Sequence, residues 1–160
     1  MSDRSQAEMI QPPNTLAKAK TDAGRGHLSL DDLDRAERAM QQVGEGFQGL
    51  AIQELTAMEA ALETMKSDPS QRAAQVREIF RRALDLKGQG ASVGFVLISE
   101  IGQLLKTFTE TLQNVRPRDI EIMLAHISAM KTVLARDIRG DGGEVGRAIV
   151  AGLYTLVDRG

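Results

Sequence analysis

Apolar side chains recur at intervals of three and four residues through most of this chain, and this spacing restricts its fold more than any other feature. On an α-helix of 3.6 residues per turn, such residues share one face, which is buried against another element. The clearest series runs from Phe47 to Met65, and others follow within residues 76–86, 97–112 and 120–138. No segment alternates apolar and polar residues as a half-buried strand does. The sequence therefore predicts an all-α fold.

Helix boundaries are indicated by capping residues, proline and glycine. Pro69 and Pro117 suit the first turn of a helix, where a backbone amide has no helical acceptor. Four long helices are predicted to begin near residues 47, 69, 95 and 117. A shorter helix from Ser29 is expected to be interrupted by Gly44 and Gly46, and another lies near the C-terminus. The expected architecture is an antiparallel four-helix bundle with an additional N-terminal and C-terminal helix.

The first 28 residues differ from the rest of the chain. They contain adjacent prolines and two glycines among polar residues, so they bury too little apolar surface to offset the entropy of ordering. We expect a flexible N-terminal arm over residues 1–28 and one helical domain over 29–160. In an alternative interpretation, a short extended piece around Met9 and Leu16 lies against the domain.

Composition excludes several classes of function. A formal net charge of −2 provides no global field for nucleic acid or an anionic membrane, and no stretch approaches the ~20 apolar residues of a membrane span. The chain has no cysteine, and its two histidines, His27 and His126, lack partners at metal-ligand spacing. The N-terminus lacks a signal-peptide pattern. We expect a cytoplasmic protein with no metal, no cofactor, and no nucleic-acid or membrane partner.

Residues 80–95 carry the most specific pattern in the chain. On a helix, Leu84 lies about a quarter-turn from the apolar series and one turn from Lys87 and Gly88, so it should be partly exposed. A glycine inside a helix costs about 1 kcal/mol relative to alanine, which makes Gly88 a candidate for close approach by a partner backbone. Alternatively, Gly88 only begins the end of the helix.

The sequence Leu-Lys-Gly at residues 86–88, followed by Gly94, resembles the signature of the histidine-containing phosphotransfer (HPt) family. Members of that family are helical-bundle proteins of bacterial phosphorelays, which carry phosphoryl groups between receiver-domain aspartates. Their hallmark is His-x-Leu-Lys-Gly on a long helix. The similarity covers residues 47–139, and with the proline-containing arm and the glycine-rich segment 140–147 the whole chain resembles HPt proteins of alphaproteobacteria.

One position departs from the family pattern. Leu84 stands where the family carries its phosphorylatable histidine, and a phosphorelay requires a nucleophilic nitrogen that an alkyl side chain lacks. Lys87, which in the family helps to hold the phosphoryl oxygens, is kept. The resemblance therefore implies a non-catalytic protein of two-component signal transduction that binds a receiver domain or a histidine kinase.

The resemblance also implies which residues meet the partner. In the family, an apolar patch around the histidine is ringed by basic residues that face the acidic pocket of the receiver. The segment from Arg77 to Lys87 carries four basic and two acidic side chains, a net charge of +2 in a chain of −2. Complementary charge of this kind raises the encounter rate and fixes orientation. The expected partner-binding residues, called the candidate docking surface below, are Arg77, Phe80, Arg81, Leu84, Lys87, Gly88 and Ala91.

Two other functions stay open. His126 is the alternative phosphoacceptor, on the flank of the apolar series of its helix, although no Lys-Gly pair follows it at three and four residues. The other alternative is a helical bundle that serves as an oligomerising scaffold, whereas the docking interpretation expects a monomer.

Overall fold

Five α-helices make up the part of the chain that the computed structural model describes, residues 29–160, and that part contains no strand. The all-α prediction is confirmed for these residues. The arm predicted over 1–28, with His27, lies outside them. Single turns of 3₁₀-helix occupy Pro69–Gln71 and Ala91–Val93. The helices are α1 (Leu30–Ser67), α2 (Arg72–Gly90), α3 (Val96–Thr111), α4 (Pro117–Ala135) and α5 (Gly143–Asp158).

α1 runs without interruption through Gly44 and Gly46, so the predicted separate N-terminal helix is wrong. Each glycine costs about 1 kcal/mol relative to alanine, but the long apolar series that follows in the same helix is buried and offsets that cost. Gly44 also lies against the guanidinium group of Arg139, where a Cβ atom would be 2.8 Å from Nη1. Leu33 and Met40, apolar residues that follow Ser29 at helical spacing, are exposed.

The core consists of apolar side chains from all five helices, with Leu153 as the fully inward residue of α5. Leu50 and Leu124 were predicted to face the core but are 45% and 36% exposed. In each case the neighbouring residue, Ala51 or Met123, takes the inward position. The largest fully buried side chains include Leu55, Met58, Leu62, Met65, Ile79, Leu97, Ile98, Ile101, Leu105 and Ile122.

Consecutive helices from α2 onward pack against one another: α2 along α3, α3 against α4, and α4 against α5. Ion pairs join α1 to two of them, since Glu54 binds Arg82 of α2 and Glu59 binds Lys131 of α4 at 2.9 Å. Within residues 29–160, no helix combines the length and apolarity needed to cross a membrane.

The apolar series up to residue 138 and the glycine that follows predict a helix that stops at Gly140, but α4 ends at Ala135. Asp137 already has a left-handed φ of 49°, which turns the chain away from the helix axis. Gly140, with φ of 62°, then donates its N–H to the carbonyl of Gly94 at 2.8 Å and accepts a hydrogen bond from the N–H of Leu97 at 2.9 Å. The segment after α4 is therefore fixed to the start of α3.

Asp119 is a buried carboxylate in the first turn of α4. It accepts a hydrogen bond from the backbone N–H of Arg116 at 2.7 Å and two from the guanidinium group of Arg116 at 2.8 and 3.1 Å. Burial raises the pKa of Asp119, but the hydrogen bonds from Arg116 lower it by more, so the pKa lies below its ordinary value. The ionised form therefore stabilises the fold.

We expect Asp119→Asn to lower the free energy of unfolding near neutral pH by about 1–2 kcal/mol, because the amide loses charge-assisted hydrogen bonds. The folded-state pKa lies below the unfolded one, so this contribution is complete above the unfolded pKa and is lost as the pH falls through the folded pKa. Urea unfolding between about pH 7 and about pH 3 should show a larger loss of stability in the wild type than in the variant.

Glu121→Gln removes an exposed carboxylate two residues further along α4 and is the control. If wild type and Asp119→Asn lose stability equally on acidification, the role assigned to the buried carboxylate is wrong.

Candidate functional site

The candidate docking surface lies along one face of α2 and the 3₁₀ turn that follows it. Leu84, at its centre, is 41% exposed, and this confirms the exposure predicted from the helical register. One turn later, Lys87 is half-buried and Gly88 is exposed. Ala91 is exposed just beyond the end of the helix. The rotation of α2 is fixed by its buried residues, which are Val76, Ile79, Ala83, Leu86 and Gly90.

Two arginines of this helix have their charge matched by carboxylates. Arg81 binds Glu78 at 2.9 Å and Asp85 at 3.1 Å, and the hydrogen bond from Arg81 is the main cause that holds the pKa of Glu78 below its ordinary value. Arg82 binds Glu54 of α1 and also Glu78. Arg81 therefore offers a partner less uncompensated charge than the sequence count implies.

Three other cations belong to this part of α2 and the facing part of α3. Among the described residues, Arg77 and Lys87 form no ion pair within 4.0 Å. Lys106 comes from α3: its Nζ lies 5.6 Å from the ring centroid of half-buried Phe80 and also binds Glu110. Lys106 was missed because only the packing of α3 on α2 brings it here.

Gly102 of α3 packs closely against the backbone of α2. A Cβ atom on Gly102 would lie 3.1 Å from the carbonyl oxygen of Ala83, 3.2 Å from the amide nitrogen of Lys87 and 3.3 Å from its Cβ. A side chain there would therefore push α2 outward. Gly102 sets the position of Lys87, and a lone glycine in an apolar series gave no clear signal in the sequence.

Ser99 of α3 holds the last turn of α2. Its hydroxyl donates to the carbonyl oxygen of Lys87 at 2.7 Å and accepts from the backbone N–H of Ala91 at the same distance. Gly90 is buried beneath this contact, where a Cβ atom would lie 2.8 Å from Ser99 Oγ and 2.9 Å from the carbonyl oxygen of Phe95. Ser99 and Gly90 thus order the C-terminal end of the candidate docking surface.

Gly88 differs from Gly90 in its surroundings. It lies within α2, it is not among the residues with a left-handed φ, and an added Cβ would meet nothing within 4 Å. Neither backbone geometry nor internal packing requires a glycine here. Its effect is to leave bare backbone beside the side chain of Leu84.

His126, expected at the flank of the apolar series of its helix, is completely buried. Its Nδ1 is 2.8 Å from the carbonyl oxygen of Ile122, and its ring lies nearly parallel to that of Phe108 with centroids 6.3 Å apart. Burial lowers the pKa of His126. Nε2 has no hydrogen-bond partner among the described residues, a condition that costs about 1–3 kcal/mol.

The candidate docking surface presents hydrocarbon, bare backbone and positive charge, and none of its side chains is an imidazole, a thiol or a hydroxyl group. Within residues 29–160, no group of three or more His, Asp and Glu side chains is arranged to hold a metal ion.

Comparison with known proteins identifies no relative: no protein-family model, no curated protein sequence and no solved structure matches the chain. The family resemblance drawn from residues 86–88 and Gly94 stays a prediction.

Two alanine substitutions separate the roles of the neighbouring glycines. We expect Gly88→Ala to raise the free energy of unfolding by up to about 1 kcal/mol, because alanine is favoured in a helix and finds open space. Gly90→Ala should lower it by about 1–3 kcal/mol, because its Cβ meets the backbone of Phe95. Urea unfolding of both variants measures the difference. Changes of the same sign and size would contradict the packing described for Gly90.

Proposed function

We propose that this protein is a pseudo-phosphotransfer module of a bacterial phosphorelay. It binds the acidic face of a receiver domain through the candidate docking surface and carries no phosphoryl group itself. The observation that supports this most is the exposure of Leu84 beside Lys87 and Gly88, at the position where the HPt pattern has its histidine.

The centre of the surface suits an apolar contact. Leu84 exposes 41% of its surface, and the bare backbone of Gly88 leaves room for a partner to approach the next turn. Phe80 adds the accessible part of an aromatic ring one turn before Leu84. Burying such a patch contributes roughly 25 cal/mol per Å² of apolar surface, and the glycine avoids a side chain that would hold the partner away.

The charge around that centre suits an acidic partner. Arg77 and Lys87 have no ion pair in the described part of the chain, whereas Lys106, which lies over Phe80, is matched by Glu110. Receiver domains, in the HPt family picture, present an acidic pocket to the corresponding face. Arg77 and Lys87 would steer encounter and orient the complex, so binding should weaken as ionic strength rises.

Phosphotransfer requires a nitrogen that attacks the acyl phosphate, and a hydrocarbon side chain provides none. Lys87 has the charge that stabilises a phosphoryl group but no neighbouring nucleophile. Asp85 is turned about 100° around the helix from Leu84 and is bound to Arg81. We infer that the surface competes with or scaffolds phosphotransfer between other proteins.

The proposal includes an antiparallel four-helix bundle built from α1 to α4, with α5 as an addition. The packing of consecutive helices and the short connections between them favour this arrangement.

We also expect the protein to be a cytoplasmic monomer. The alternative that uses His126 as phosphoacceptor gains no support from a buried ring whose Nδ1 is engaged.

The binding test uses receiver domains from the same genome. We expect at least one to bind the full chain, and both Gly88→Arg and Leu84→Glu to weaken that binding at least about tenfold. Gly88→Arg blocks the approach of the partner, and Leu84→Glu places in the apolar centre a carboxylate that must lose its water on binding. Isothermal titration calorimetry at two salt concentrations measures affinity and its ionic-strength dependence.

Leu124→Glu is the matched control, because it places the same charge on another exposed leucine, on α4. It should bind like the wild type. Absence of binding to every receiver, or equal weakening by Leu84→Glu and Leu124→Glu, would rule out the proposed surface.

Restoring the nucleophile tests the catalytic half of the proposal. With the geometry around Lys87 intact, Leu84→His should accept a phosphoryl group from a phosphorylated receiver, whereas wild type should not. Acid-labile label on the variant is the expected signal, and Leu84→Gln is the control without a nucleophilic imidazole. Labelling of wild type that disappears in His126→Ala would establish the alternative instead.

A further inference from the structure

A pocket of about 450 Å³ opens between the start of α2 and the connection from α3 to α4. Positive charge distinguishes its lining, because Arg72 and Arg77 of α2 both contribute to it and no carboxylate side chain does. Two guanidinium groups with no carboxylate between them attract an anion.

Arg72 is fixed by backbone carbonyl groups on two sides. Its Nε donates to the carbonyl oxygen of Met65, in the last turn of α1, at 3.1 Å, and its Nη1 donates to that of Val115 at 3.1 Å. Nη2 has no acceptor among the described residues and is not a buried atom. The guanidinium group is therefore oriented before a ligand arrives, which lowers the entropy cost of binding, and it keeps donors for that ligand.

The other free donors of the pocket are exposed to solvent. Arg77 forms no ion pair or side-chain hydrogen bond with another described residue. Gln113 and Asn114, in the connection before α4, likewise have side-chain amides without a partner in the described part of the chain. Such amides donate to anionic oxygens, and they both donate to and accept from hydroxyl groups.

The remaining polar groups around the pocket are engaged. The hydroxyl of Thr109 donates to the carbonyl oxygen of Lys106 at 2.8 Å. Asp68 lies beside the lining and accepts two hydrogen bonds from Ser70, at 3.0 Å from the backbone N–H and 2.6 Å from the hydroxyl. The C-terminal end of α3 adds about half a negative charge. This charge and that of Asp68 together are smaller than the two positive charges of the arginines, so the pocket stays positive.

We propose that this pocket binds a small phosphate monoester, with its phosphate group between Arg72 and Arg77 and its hydroxyl-bearing body against Gln113 and Asn114. A phosphate monoester carries a charge of about −1.5 to −2 near pH 7 and has three acceptor oxygens, which matches two guanidinium groups. A carboxylate brings one charge and two oxygens. The inference does not rest on the proposed receiver binding, although Arg77 belongs to both sites.

The test titrates the ¹⁵N-labelled full chain with glucose 6-phosphate, gluconate, inorganic phosphate and glucose at constant ionic strength. We expect glucose 6-phosphate to bind at millimolar concentration or below and at least about fivefold more tightly than gluconate, because it forms more charge-assisted hydrogen bonds. Inorganic phosphate should bind more weakly than glucose 6-phosphate, and glucose should not bind. The amide resonances that move should lie in residues 69–77 and 109–115.

Two variants remove the charge in different ways. Arg77→Gln deletes one cation, and Ala73→Glu places a carboxylate four residues before Arg77, where the two side chains pair across one helical turn. Both should weaken binding of glucose 6-phosphate at least about fivefold. Glutamate is a good helix former, so Ala73→Glu should keep the fold. Arg136→Gln is the control, because it removes an exposed arginine at the opposite end of α4 from the pocket.

The proposal is overturned if glucose 6-phosphate does not bind, if gluconate or inorganic phosphate binds equally well, or if Ala73→Glu weakens binding no more than Arg136→Gln. No receiver domain is present in this titration, so its result is separate from that of the receiver test.

Discussion

The close packing of α3 on α2 is the contact on which the rest of the site depends. Gly102 allows the two helices to approach until the space for a Cβ atom is filled by the backbone of Ala83 and Lys87. Ser99, one turn earlier, bonds the carbonyl of Lys87 and holds the end of α2. With the inner face of α2 fixed in this way, Leu84 has no route into the core. An exposed leucine is therefore a consequence of the helix interface and not of local disorder.

The fixed inner face of α2 explains how one helix presents both an exposed apolar residue and positive charge. Charged side chains around an apolar centre usually neutralise one another, and Arg81 is matched in this way by Glu78 and Asp85. Lys106 of α3 is likewise matched by Glu110, whereas Arg77 and Lys87 have no ion pair in the described residues. The surface keeps positive charge at its edge and hydrocarbon at its centre, which is the arrangement that an acidic partner with an apolar contact requires.

Helical periodicity predicted the all-α fold, the register of α2 and the exposure of Leu84, because each depends on local spacing. The predicted cap at Ser29 is also present, with its hydroxyl accepting from the N–H of Asp32 at 3.1 Å. The predicted interruption of the helix at Gly44 was wrong, because burial of the apolar residues in the rest of α1 outweighs the low helix propensity of glycine. Residue spacing within one helix does not show how different helices pack together. The burial of His126 and the positions of Gly102, Ser99 and Lys106 depend on that packing.

The most direct test of the account is to map the contact of a bound receiver domain on the ¹⁵N-labelled full chain by amide chemical shifts. The account predicts that the largest changes lie in residues 77–91 of α2 and its following turn, with smaller ones in the facing turns of α3 from Ser99 to Lys106. Largest changes on α4 or α5, with α2 unaffected, would contradict it.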